Sequence, residues 1–130
     1  MARLSAIHHA ALSVTDRDAS ARWYNAVFGF VELFREEGDE RRACVMTFPE
    51  SGYSVGLVEH RPADGQRFDP ARLGLDHLAF SVETREQLDE WAASLSAAGV
   101  DHSGVADLPP GAILNLKDPD GISLALFWDK

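Results

Sequence analysis

A chain of 130 residues, 45% hydrophobic and 25% charged, has the length and composition of one ordinary globular domain rather than a disordered chain. Lys and Arg number 12 against 21 Asp and Glu, a formal net charge of −9 that opposes nucleic-acid phosphates and anionic lipid and suits a cationic ligand. No apolar run approaches the roughly 18 residues that cross a bilayer, so neither a membrane nor a nucleic-acid partner is expected.

Two more features bear on location. The start, Met1-Ala2-Arg3-Leu4-Ser5, lacks the apolar stretch of a secretion signal. Cys44 is the only cysteine, so no internal disulfide can form, and a reducing cytoplasm is the expected home.

Along the chain, the first half opens on His9-Ala-Ala-Leu-Ser-Val14. Alternation sends Ala10, Leu12 and Val14 to one face of a strand and His9, Ala11 and Ser13 to the other. The same alternation assigns His8 to the helix side. A helix follows, capped by Thr15 or Asp16, with Ala19, Trp23 and Val27 as its apolar stripe and Gly29 at its end. Three strands near Val31–Arg35, Arg42–Phe48 and Tyr53–Glu59 complete the half, the last two joined at Pro49-Glu50-Ser51-Gly52. Arg61-Pro62-Ala63-Asp64-Gly65-Gln66 and Asp69-Pro70 read as an exposed linker over about 61–72.

The second half repeats the plan. His77-Leu-Ala-Phe-Ser-Val82 aligns with the segment from His9, and Trp91 stands to His77 as Trp23 stands to His9. Thr84 and Gln87 have the spacing of a capping box, Leu88, Trp91, Leu95 and Ala98 form the stripe, and Gly99 ends the helix. Both Trp residues are assigned to the core. Strands are expected near Val100–Ala106, Ala112–Lys117 and Ile122–Trp128, with a turn at Asp118-Pro119-Asp120-Gly121. Leu124-Ala125-Leu126 then matches Val55-Gly56-Leu57. The expected class is α+β: two βαβββ modules, about 5–60 and 73–130, in one domain.

Taken together, His9-Ala-Ala-Leu-Ser-Val-Thr-Asp16, Trp23-Tyr24-Asn-Ala-Val-Phe28-Gly29-Phe30, His77-Leu-Ala-Phe-Ser-Val82 and Asp118-Pro119-Asp120-Gly121 resemble the vicinal-oxygen-chelate superfamily, which includes glyoxalase, bleomycin-resistance and dioxygenase proteins. The resemblance covers almost the whole chain. It implies a cupped mixed sheet with helices on its outer face, a small-molecule ligand and a homodimer. In the enzymes of this superfamily it also implies a divalent metal held by His on the first and fifth strands and Glu on the eighth, with a fourth-strand residue added in glyoxalase I.

Carried over by position, the two His are His9 and His77, the eighth-strand Glu is Ala125 and the fourth-strand ligand is Gly56. Both carboxylate positions lack a donor. Two neutral imidazoles make a poor divalent site, so no cofactor is expected, with a divalent metal on His9 and His77 as the alternative. Strand parity places His9, Ser13, Gly56, His77, Ser81, Ala125 and Phe127 on the inner face of the cup as ligand-binding residues, roomier than where longer acids stand.

Substitute metal donors are poorly placed. Glu59 should face away from the cup, His60 lies about 13 Å along the strand from Gly56, and Asp76 should point opposite to His77. The facing of Cys44 and Asn115 is open at this level. His102 is expected at the surface. Cys44 has no activating motif, and the chain has no nucleophile elbow and no Gly-rich phosphate loop. Three functions follow: a metal-independent small-molecule-binding protein, a metal-dependent lyase, isomerase or dioxygenase, or a structural or interaction domain with a vestigial cup.

Overall fold

The computed structural model describes residues 1–61 and 65–130, and the chain divides into two compact units, Met1–Gln66 and Arg67–Lys130. Of the expected linker, Pro62, Ala63 and Asp64 lie outside the described residues. Among the described residues no helix is long and apolar enough to cross a membrane.

The first unit runs β1 (His9–Ser13), α1 (Arg17–Phe28), β2 (Val31–Glu36), β3 (Arg41–Thr47) and β4 (Ser54–His60). Its sheet has the order β1-β4-β3-β2, with β1 parallel to β4 and the other pairs antiparallel. The second unit repeats this as β5 (Leu78–Ser81), α2 (Arg85–Ala97), β6 (His102–Leu108), β7 (Gly111–Lys117) and β8 (Ser123–Asp129), in the order β5-β8-β7-β6. The two βαβββ modules are therefore present, and the fold is α+β. Helix α1 packs on β3 and β4, and α2 on β6, β7 and β8, so each sheet has one covered face.

The elements start and stop where their end groups find partners. Asp16, not Thr15, caps α1, its side chain accepting from the backbone N–H of Asp18 and Ala19, both at 3.0 Å. Gly29 ends the helix at φ 73°, where a Cβ would be strained, and its N–H reaches the Asn25 carbonyl. The capping box of Thr84 and Gln87 is formed in full. Asp118 accepts from the N–H of Asp120 and Ile122 and sets the turn into β8.

Three helix expectations change. The fully buried face of α1 carries Arg17, Ser20 and Tyr24, while Ala19, Trp23 and Val27 are half-buried at its flank. Arg17 can be buried because its guanidinium finds partners on every side. It donates to the carbonyls of Glu36 and Ala43 and pairs with Asp18 and Glu37. Trp23 instead meets Tyr24 and Phe28 edge-on, with ring centroids 5.0 and 5.7 Å apart. In the second unit Leu88 and Leu95 are buried, Trp91 is half-buried, and Ala98 is exposed because the helix ends at Ala97.

Candidate ligand-binding faces

Residues paired across a ladder share a face, so the registers decide where each side chain stands. In the first unit Ala11 pairs with Gly56, Leu12 with Leu57 and Ser13 with Val58. Leu12 and Leu57 are buried under the helix, which leaves His9, Ala11, Ser13 and Gly56 on the open face. His9 and Ser13 are exposed there, whereas Gly56 is buried between its neighbours. A Cβ added at Gly56 would meet the Ala11 Cβ at 3.2 Å, so the floor at this point is two small residues in close approach.

In the second unit Ala79 and Asn115 flank Ala125, and Ser81 and Ile113 flank Phe127. His77 and Ser81 are exposed, Phe127 is half-buried, and Ala125 is 0% exposed. A cavity of about 830 Å³ lies beside His77, toward the Lys117–Ser123 end of β7 and β8; its lining includes Asp76, His77, Asp101, Asn115, Lys117 and Ser123 but not Ser81, Ala125 or Phe127. Of the lining residues, His77 alone is among the ligand groups expected from strand parity. The signal for Asn115 and Lys117 was present as their alternation with Leu114 and Leu116, but only the pairing of Asn115 with Ala125 orients it.

Two side chains, His8 and Asp76, depart from simple alternation. His8 and Asp76 precede their strands, where the pleat no longer dictates direction. His8 is exposed and does not face the helix; its Nδ1 lies 2.8 Å from the Nδ1 of His9, with one ring donating and the rings edge-on at 5.1 Å. Asp76 does not point away from His77. Its Oδ1 sits 2.8 Å from the Nδ1 of His77, and both residues line the same cavity.

The other donors are occupied or turned away. Glu59 is buried on the helix side, where its oxygens accept from Arg42 at 2.8 and 3.0 Å, from Arg61 at 2.8 Å and from the backbone N–H of Arg17 at 3.0 Å. The Arg42 hydrogen bonds, opposed by burial, hold its carboxyl down to about 2. Cys44 pairs with Leu57 on the same covered side, and burial pushes its thiol up to about 11, an unreactive setting. His60 ends β4 in the open and pairs with Arg41. His102 is half-buried at the start of β6 and hydrogen-bonds Ser96 at 2.8 Å. Among the described residues no three His, Cys, Asp or Glu gather as a metal-binding group.

Known proteins share this architecture. The chain is 38% identical to a glyoxylase/bleomycin resistance protein/dioxygenase domain from Frankia sp. EAN1pec, with a TM-score of 0.91 over 98% of this chain and 94% of that one. It is 28% identical to the protein YaeR of Escherichia coli (strain K12), covering 98% of each chain. The fold alone is shared with the fosfomycin resistance protein FosX of Listeria monocytogenes, solved with Mn(II) and sulfate, at 18% identity and a TM-score of 0.73 over 98% of this chain and 95% of that one. Residues 6–126 match the profile of the glyoxalase family, and the chain belongs to the Glyoxalase/Bleomycin resistance protein/Dioxygenase superfamily.

Proposed function

We propose that the protein binds a small organic molecule without a resident metal. The ligand-binding residues are His9, Ser13 and Gly56 on the first unit and His77, Ser81, Ala125 and Phe127 on the second. The observation that carries this reading is the 830 Å³ cavity of the second unit, where Asp76, Asp101, Asn115, Lys117 and Ser123 converge beside His77. The net charge of −9 favours a ligand with a cationic group.

The donor set does not fit a divalent ion. Ala125 stands where the superfamily's enzymes carry a Glu and Gly56 where glyoxalase I adds a ligand, and neither has a side-chain donor. Glu59 is committed to three arginines. Two neutral imidazoles supply no charge to offset the ion. One observation favours the alternative, a metal-dependent lyase, isomerase or dioxygenase using His9 and His77. The Asp76 carboxylate on His77 Nδ1 is the outer partner that orients an imidazole toward a metal.

Elemental analysis of protein purified without added metal separates the two. Well under one equivalent of zinc, nickel, iron or manganese is expected, together with a ligand-dependent rise in melting temperature. A stoichiometric ion would make the enzyme reading the better one. A homodimer and a cytoplasmic location belong to the same proposal, supported by the superfamily's habit of pairing and by the lone buried Cys44.

A further inference from the structure

Four positions form a row across the open face of the second unit. Lys117 on β7 pairs with Ser123 on β8. His77 directly precedes Leu78, the partner of Leu124, and so falls beside Ser123 on its other side. Asp101 directly precedes His102, the partner of Leu116, and so falls beside Lys117. Neighbouring positions in such a row stand about 5 Å apart. All four residues line the 830 Å³ cavity.

Several groups around them are already satisfied. His102 accepts from the Gly104 N–H on Nδ1 at 3.0 Å, which leaves Nε2 to donate to Ser96. Ser103 donates to the Gly104 carbonyl at 2.7 Å and accepts from the Asn115 N–H at 2.9 Å. Asp76 is bonded to His77. By contrast, among the described residues the Lys117 ammonium and the Asp101 carboxylate make no ion pair and no hydrogen bond, although they are neighbours. The cavity therefore presents one unpaired cation beside one unpaired anion.

We infer that this cavity binds a small amino-carboxylate, a zwitterion whose carboxylate meets Lys117 and whose ammonium meets Asp101. A simple carboxylate would leave Asp101 unmatched and repelling it, and a simple amine would meet the same problem at Lys117. A zwitterion answers both, and being neutral overall it is not turned away by the acidic surface. Its ammonium is also the cationic group that the net charge favours. Ser123 and the Asn115 amide flank Lys117 and can share the carboxylate. The inference rests on the ligand-binding reading and names the ligand class for that site.

β-Alanine, propionate and propylamine carry both charges, only the anion, and only the cation on the same short chain. Calorimetric titration of the full chain is expected to give an affinity for β-alanine about fivefold above that for either of the others. Lys117→Met should reduce β-alanine to the level of propylamine, and Asp101→Asn to that of propionate. Both side chains are exposed, so the variants should melt with the wild type, which is measured first. Equal affinity for all three probes, binding of none, or undiminished β-alanine binding by Lys117→Met overturns the assignment. Stabilisation by other molecules in a melting screen, with none of this selectivity, would sink the zwitterion alone and leave the ligand-binding reading standing.

Discussion

Glu59 and Arg42 face each other across β3 and β4 as a two-pronged pair, Oε2 to Nε at 2.8 Å and Oε1 to Nη2 at 3.0 Å, on the side of the sheet covered by α1. Arg61 and the backbone of Arg17 supply the remaining donors, so a nearly buried carboxylate is fully satisfied. This pair ties the first turn of the helix to the central strands. It also takes out of play the one acid on β4 that could have served a ligand.

The pair makes stability depend on pH. Glu59 titrates at about 2 in the folded protein against an ordinary 4.5, so its contribution is complete above pH 4.5 and is lost as the pH falls through about 2. Asp18, held low chiefly by its hydrogen bond from Arg17, shifts in the same direction. Urea unfolding should show wild-type stability falling over this window by about 3 kcal/mol from Glu59. Glu59→Gln should be less stable than wild type at neutral pH and should flatten the fall. A variant with the wild-type pH profile would show that Glu59 is not the group responsible.

Among the glycines, Gly111, at the start of β7, leaves the least room for a side chain. An added Cβ would overlap the carbonyl oxygen of Trp128, which is backbone and cannot swing aside. Gly111→Ala is expected to lose about 2–3 kcal/mol, within the usual range for overpacking. Gly52→Ala, in an open turn at φ 73°, should lose only about 1 kcal/mol. Comparable melting temperatures for the two variants would count against the close approach of β7 and β8.

Much of the fold could be read from the residues because repeat, cap and alternation agreed. The segments from His9 and His77 opened both modules, and Asp16, Gly29, Thr84 and Gln87 bounded the helices near where they lie. The face of α1 was missed because apolar spacing cannot anticipate a buried guanidinium, and Arg17 is 1% exposed. The facing of Cys44 and Asn115 depends on which partner each strand takes, and one residue of slip reverses it. Their pairing with Leu57 and Ala125 decides that question. His8 and Asp76 were misdirected by extending a pleat past the ends of β1 and β5.

The homodimer is open to direct measurement. Edge strand β2 is exposed along its length, with Leu33 at 62% and Phe34 at 51%, and it carries a bulge between Glu32 and Phe34. Exposed edges with apolar side chains are commonly covered by a partner or interrupted by such a bulge. Sedimentation equilibrium at micromolar concentration is expected to return twice the chain mass of 14.3 kDa. A monomer under those conditions would remove the dimer from the proposal.

Ala125 lies on the open face of the central strand β8, flanked by Ala79 and Asn115, and is 0% exposed. Ala125→Glu would place an acid two residues from Ser123, on the strand beside the His77 end of β5. Without metal, the new carboxylate must leave water, so the variant should melt below wild type. With zinc or manganese present, the same carboxylate adds the charge that the His77 imidazole cannot supply, and metal affinity should rise about tenfold, or ~1.4 kcal/mol. Titration calorimetry and melting curves with and without the ion check both halves. If the ion restores the melting temperature of Ala125→Glu and leaves wild type unchanged, loss of the acid explains a metal-free native site. If wild type binds the ion as tightly as the variant, the third donor lies elsewhere, and the metal-dependent reading displaces the one proposed.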